Sequence, residues 1–228
     1  VNDRVVVVIP VHNESSVLGA VLTEVLAEFR HVVCVDDGSR DGSSEVARGL
    51  GAHVVRHATN LGQGAALETG LRYAVSTFDV EYVVTFDADG QHAAADATAM
   101  VAFAREHGLQ AVLGSRFLGT VSGAPPLRRA LLHAAVRFTR MTSGLTITDA
   151  HNGLRVLHRD LATHVRLRMH GMSHASEILG QIARGGWRYA EFPVSIRYTD
   201  YSRRKGQPGY NALNIAFDLA LDRLRTAA

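Results

Sequence analysis

Residues Val5–Val11 read Val-Val-Val-Val-Ile-Pro-Val, and no other stretch of the 228-residue chain narrows its fold as much. A run with no polar alternation cannot be a strand with one wet face, and it is too short for an amphipathic helix. It suits a strand buried on both faces of a parallel sheet. The run closes at once in His12-Asn13-Glu14, and the pattern returns along the chain. Residues 32–35 end in Asp36-Asp37-Gly38-Ser39, 83–86 in Asp87-Ala88-Asp89-Gly90-Gln91-His92, and 111–114 in Ser115-Arg116. A weaker strand is expected around 52–56.

Between these runs the apolar residues recur at helical spacing. Val17, Leu18, Val21, Leu22, Val25, Leu26 and Phe29 predict a first helix, with Ser15 or Ser16 as its cap. Further helices are expected over 44–50, around Leu67, Leu71, Val75 and Phe78, and over 94–107. The order predicts an α/β fold, a doubly wound, mostly parallel sheet in one domain spanning 1–228. Ligands of such sheets gather beyond the carboxyl ends of the strands, where the polar residues lie.

Beyond residue 118 the alternation stops. A loop over 119–126 leads to a helix over 127–141, with Leu127, Leu131, Ala134, Ala135 and Phe138 on one side and Arg129, His133, Arg137 and Arg140 on another. A strand at 154–157, a helix over 173–184 and a strand over 187–198 follow, with Pro193 marking an edge or bend. The polar segment 199–209 carries Arg203, Arg204 and Lys205 and is expected to act as a lid over a diphosphate. A final amphipathic helix begins near Asn211, its apolar face suited to packing on its own domain or on a membrane partner.

Composition removes several classes of function. A net charge of +2 argues against a nucleic-acid binder. The single cysteine, Cys34, sits in the run Val-Val-Cys-Val, reads as a small buried hydrophobe and excludes an intramolecular disulfide. No apolar stretch approaches the roughly 20 residues that span a bilayer, and the N-terminus enters a strand without a secretory signal pattern. The expectation is a cytoplasmic protein, soluble or peripheral to the membrane.

The acids carry the chemistry. Asp87, Asp89 and Gln91 alternate, so in an extended segment their side chains project to one side and can converge on Mg²⁺ or Mn²⁺, with Gly90 allowing the exit. No G-x-G-x-x-G follows the first strand and no Walker loop is present. The pattern suggests a nucleotide diphosphate held through a metal, with Asp37 or Glu14 bonding ribose or base. Taken singly, Arg116 also reads as a surface ion-pair partner, Asp149 as a turn former and Glu177 as a solvated helix residue. His92, His151 and His174 lack metal-ligand spacing and suit packing or hydrogen bonding.

The segments I-P-V-H-N-E, V-D-D-G-S-R-D-G-S, N-L-G-Q-G-A-A-L, F-D-A-D-G-Q-H, G-S-R-F and N-G-L-R occur in that order over roughly residues 4–198. Together they resemble the inverting family 2 glycosyltransferases of the GT-A fold. The most similar branch includes dolichyl-phosphate mannosyltransferase and the bacterial polyprenyl-phosphate sugar transferases. The resemblance implies a nucleotide site drawn from Pro10, Asn13, Glu14, Asp37, Gly62 and Asp87, and a metal site of Asp87, Asp89 and Gln91. It implies that Arg116, with Arg128 or Arg129, holds an acceptor phosphate, and that a basic loop including Arg203 and Lys205 closes the donor side. That loop departs from the family pattern at Gln207-Pro208.

The implied partners are a GDP- or UDP-linked sugar, a polyprenyl phosphate at the cytoplasmic membrane face and a small membrane protein. Two alternatives stay open: transfer to a sugar hydroxyl, and a silent subunit that only binds nucleotide sugar. Hydroxyl-glycosylating branches show an acid pair at the start of the helix that here reads S-H-A-S-E-I-L, where this chain has Glu177 alone.

Overall fold

The apolar runs become strands and the periodic stretches between them become helices. The computed structural model describes residues 3–118, 145–150, 152–168 and 174–197. In it β1 (Val5–Val11), β2 (His31–Asp36), β3 (His53–Arg56), β4 (Tyr82–Thr85) and β5 (Ala111–Ser115) alternate with α1 (Ser15–Glu28), α2 (Ser43–Gly49), α3 (Gln63–Thr77) and α4 (Ala94–His107). Then come β6 (Arg155–His158), α5 (Arg159–His164), α6 (His174–Arg184) and β7 (Tyr189–Pro193). The expected loop at 119–126, the helix at 127–141 with Arg128 and Arg129, His151, the lid at 199–209 with Arg203 and Lys205, and the helix from Asn211 lie outside the described residues.

The strands form one sheet in the order β3-β2-β1-β4-β6-β5-β7. β1 pairs in parallel with β2 and β4, β2 with β3, and β5 with β7, while β6 runs antiparallel between β4 and β5. β1 is buried at every residue but Pro10, as its composition requires. Val5, Val7 and Ile9 pack with Leu18, Leu22 and Met100 on one face; Val6 and Val8 pack with Leu67 and Leu71 on the other. Pro10 is tolerated because β4 pairs only with Val5 to Val8, so no β4 carbonyl needs an amide hydrogen there. Cys34 is buried, and burial, followed by the nearby Asp36 charge, pushes its thiol up to about 12, which makes it inert.

Three expectations change. Ser15 and Ser16 do not cap α1: Glu14 is the cap residue, the Glu14 amide donates to Ser43 Oγ at 3.0 Å, and the Ser15 amide donates to Asp41 Oδ2 at 2.9 Å. The cap is supplied by the first residue of α2 and the loop before it, which no local pattern reveals. The strand expected over 187–198 ends at Pro193, on the edge strand of the sheet. α5 was not expected; at six residues it is too short to show a helical period.

α3 lies close on the sheet because Gly70 has no side chain. A Cβ there would stand 2.2 Å from Val8 Cγ1 and 3.1 Å from Val35 Cγ2. Gly70→Ala is therefore expected to destabilise by about 1–3 kcal/mol, overpacking outweighing the gain in helix propensity of about 1 kcal/mol. Urea unfolding measures this; a midpoint equal to or above the parent's contradicts the close approach.

Candidate active site

The polar residues collect at the carboxyl ends of β1, β2, β4 and β5, joined by the start of the antiparallel β6. The loop after β1 is laced to the loop after β2. Asn13, in the left-handed region at φ 56°, is tied across to the second loop: its amide donates to Ser39 Oγ at 3.0 Å and its Oδ1 accepts the Arg40 amide at 2.9 Å. Asn tolerates this conformation better than most residues. Asp36 accepts the Ser39 amide at 2.7 Å, bonds the Ser44 hydroxyl, and has Arg56 at 3.5 Å.

Asp37, expected to contact the nucleotide, is 3% exposed and committed to protein groups. Its oxygens accept the Leu61 amide at 2.8 Å and the Gly62 amide at 2.7 Å, with His57 Nδ1 at 2.8 Å. In this geometry it shapes the loop before α3. Gly62, where the loop passes into α3, is held to Asp37 by that bond. Gln63 at the start of α3 then reaches over to donate from Nε2 to Asp87 Oδ1 at 3.1 Å.

The acidic motif is a turn, which corrects the expectation of an extended segment. β4 ends at Thr85, Ala88 and Asp89 form the turn, and Gly90 is left-handed at φ 74°. Asp89 Oδ1 accepts the Gln91 amide at 3.0 Å, an Asx-type closure, so the two acids are gathered by turning and not by strand alternation. Gln91 is pinned from the other side as well, its carbonyl accepting the Arg197 amide at 2.9 Å. Asp87 is partly open to solvent and is bonded by His92 Nε2 at 3.1 Å as well as by Gln63. His92 itself is buried and packs edge-on to Phe86.

The two carboxyls are driven apart. Burial alone would raise Asp87, but the His92 hydrogen bond and charge, with the Arg155 and His174 charges, hold it below the usual range. Burial raises Asp89, helped by the Asp87 charge beside it and by Glu14, against the Gln91 amide and His92. An acid pushed up by two neighbouring carboxylates is a position where a hard cation is welcome. Among the described residues no three acidic, cysteine or histidine side chains converge on one point.

Across β6 stands the second half of the site. Arg116 Nε donates to Asp149 Oδ2 at 2.6 Å and its amide to the same oxygen at 3.2 Å. The pair is enclosed, with side chains 14% and 1% exposed, so neither the surface ion pair nor the turn former describes it. Asp149 is held by its own neighbours: Glu191 on β7 accepts the amides of Thr148 and Asp149, and Ser115 Oγ lies 2.6 Å from Thr148 Oγ1. Glu177, on α6, is not simply solvated. Both its oxygens accept the Arg168 amide, at 3.1 and 2.9 Å.

Sequence reasoning passed over residues of the N-G-L-R segment. A Cβ on Gly153 would fall 2.0 Å from Asp87 Oδ2, so only glycine lets β6 start against the acid. Asn152 and Arg155 are each 2% exposed. The N-G-L-R segment enters the sequence reading as a motif, without roles for its residues; an arginine within a short apolar strand is the signal that could have singled out Arg155.

The model of "Glycosyl transferase family 2" matches residues 6–175. An uncharacterized protein of Methanocaldococcus jannaschii is 30% identical over 97% of this chain and 93% of its own length. The UDP-N-acetylglucosamine–dolichyl-phosphate N-acetylglucosaminyltransferase of Methanococcus voltae is 26% identical over 87% of this chain and 88% of its own. Among solved structures, glucosyl-3-phosphoglycerate synthase from Mycobacterium tuberculosis, in complex with Mn²⁺, UDP-glucose and phosphoglyceric acid, superposes with a TM-score of 0.67. It is 19% identical, covering 94% of this chain and 78% of that one, and so speaks to the GT-A fold alone. With the family model spanning well over half of the residues and the acidic turn at the mouth of a GT-A sheet, the chain belongs to glycosyl transferase family 2 and is a glycosyltransferase.

Proposed function

We propose that this enzyme transfers a hexosyl group, with inversion, from a nucleotide diphosphate sugar to a polyprenyl phosphate at the cytoplasmic membrane face. The observation that carries the reading is the pairing of a partly open Asp87-Asp89 turn with an enclosed, oriented Arg116, one strand apart across β6. Adjacent strands are about 5 Å apart, so the strand ends that carry the two groups stand about 10 Å apart along the sheet edge, a separation that supports a donor diphosphate on one side and an acceptor anion on the other.

Asp87 and Asp89, with Gln91 beside them, are the residues that would hold Mg²⁺ or Mn²⁺. When bound, such an ion offsets the charge that develops on the departing diphosphate. Glu14, beside Asp89, lines the donor side, and Asp37 acts through the loop it pins. Arg116 orients the acceptor phosphate, already an anion near neutral pH. Its oxygen forms the new bond to the anomeric carbon from the face opposite the departing diphosphate, and the bond between that carbon and the diphosphate oxygen breaks. No general base is needed for such a nucleophile. The lone acid near the start of α6, Glu177, where hydroxyl-glycosylating branches show an acid pair, supports this acceptor over a sugar hydroxyl. Among the described residues no helix is long and apolar enough to cross a membrane.

Titration calorimetry with UDP, GDP and their sugars, in Mn²⁺ and in EDTA, tests the donor side. One base is expected to bind in Mn²⁺ and at least about tenfold more weakly in EDTA. Sugar transfer to polyprenyl phosphate in vesicles tests the acceptor; glycosylation of a saccharide with none of the lipid phosphate would replace this reading.

A further inference from the structure

β6 carries a charge into the driest part of the sheet. Arg155 pairs in register with Thr85 at the end of β4 and with Leu113 of β5, lies between Leu154 and Val156, and is 2% exposed. Among the described residues its Nη1 has no hydrogen-bond partner. An ionised group in such a place is tolerated only against opposite charge. Two carboxylates supply it: Asp87, on the metal side, and Asp149, the partner of Arg116, each act electrostatically on this guanidinium. The approach is enforced by Gly153, which abuts Asp87, and by Thr85, whose hydroxyl donates to the Gly153 carbonyl at 2.6 Å.

We propose that Arg155 is a positioning residue, a buried counter-charge shared by Asp87 and Asp149 that keeps the divalent-cation site weak until a diphosphate joins it. The idea rests on the metal-dependent donor binding proposed above. A cation behind Asp87 cancels part of the negative field that Asp87, Asp89 and Glu14 present to an incoming ion. Without it the acids would collect a bare cation and hold it. With it the site needs the charge of the diphosphate, so metal and donor load together and leave together. Sharing the same guanidinium with Asp149 ties the acceptor-side arginine to the same framework.

The sign of one measurement separates this role from a merely structural one. Mn²⁺ affinity is measured by paramagnetic resonance without nucleotide, then with UDP or GDP, on the parent, Arg155→Met and Arg155→Lys. Arg155→Met is expected to bind bare Mn²⁺ at least about tenfold more tightly than the parent, and to gain less from nucleotide. Arg155→Lys keeps the charge and should stay near the parent. Where Arg155→Met does not fold, Arg155→Met/Asp149→Asn against Asp149→Asn makes the same comparison with the local charge balanced.

Equal or weaker binding of bare Mn²⁺ once the cation is removed overturns the proposal while leaving metal-dependent donor binding standing. A parent that binds Mn²⁺ neither alone nor with either nucleotide overturns both.

Discussion

Asp89→Asn is expected to cut sugar transfer by about a thousandfold or more while leaving the fold intact. Asparagine keeps the size of the side chain and an oxygen that can still accept the Gln91 amide, so the turn should persist. What is lost is the charge proposed to hold the cation against the diphosphate. A metal bound at a phosphoryl group contributes several kcal/mol of charge stabilisation, and each 1.36 kcal/mol is about tenfold in rate. Donor affinity in Mn²⁺ should fall with it.

Stability without metal should move the other way. Burial, Asp87 and Glu14 raise the Asp89 carboxyl above its ordinary value in the folded chain. Its ionisation therefore opposes folding at neutral pH, and this cost vanishes as the pH falls and the group takes up a proton in both states. Asn removes the cost, so the variant should melt slightly higher than the parent at pH 7 and lose that advantage in acid. Parent-like donor binding and turnover in Mn²⁺ would show that the acidic turn is not the metal site.

Much of the donor half was legible in the sequence because the information there is local. Seven consecutive apolar residues in β1 announce a doubly covered strand, and the acids of β2 and β4 announce the sheet edge. α4 begins and ends at Ala94 and His107, as its periodicity predicts.

The acceptor half was less legible because its contacts join distant segments. Arg116 and Asp149 are 33 positions apart, and their pairing depends on β6 slipping in antiparallel between β4 and β5. Nothing in Arg155-Val156-Leu157-His158 states a direction or a neighbour. The partners of Asp37 were hidden for a related reason: they lie in a loop more than twenty residues on. The turn at Ala88-Asp89 shows the limit of periodicity, since alternation predicts a shared side only while the backbone stays extended.

The choice of acceptor turns on Arg116 and Glu177, and the two should answer oppositely. Arg116→Ala removes the cation proposed to orient the lipid phosphate, and transfer to polyprenyl phosphate is expected to fall below detection. Donor affinity should stay within about threefold, because Arg116 stands just past the end of β5, across β6 from the acidic turn. The substitution also leaves Asp149, 3% exposed, without a major partner, which costs about 3–5 kcal/mol when a buried pair is broken. Arg116→Ala/Asp149→Asn relieves that charge; it should recover most of the stability and none of the transfer, which separates loss of phosphate recognition from loss of fold.

Glu177→Gln should keep a large part of the activity. A glutamine oxygen can still accept from the Arg168 amide, and an acceptor that arrives as an anion has no proton to surrender to a base. Complete loss of transfer in Glu177→Gln with the fold intact, together with glycosylation of a sugar hydroxyl by the parent, would make Glu177 the base and give the acceptor site to a saccharide. Persistence of activity in Glu177→Gln and its disappearance in both Arg116 variants would leave the phosphate as the group this site recognises.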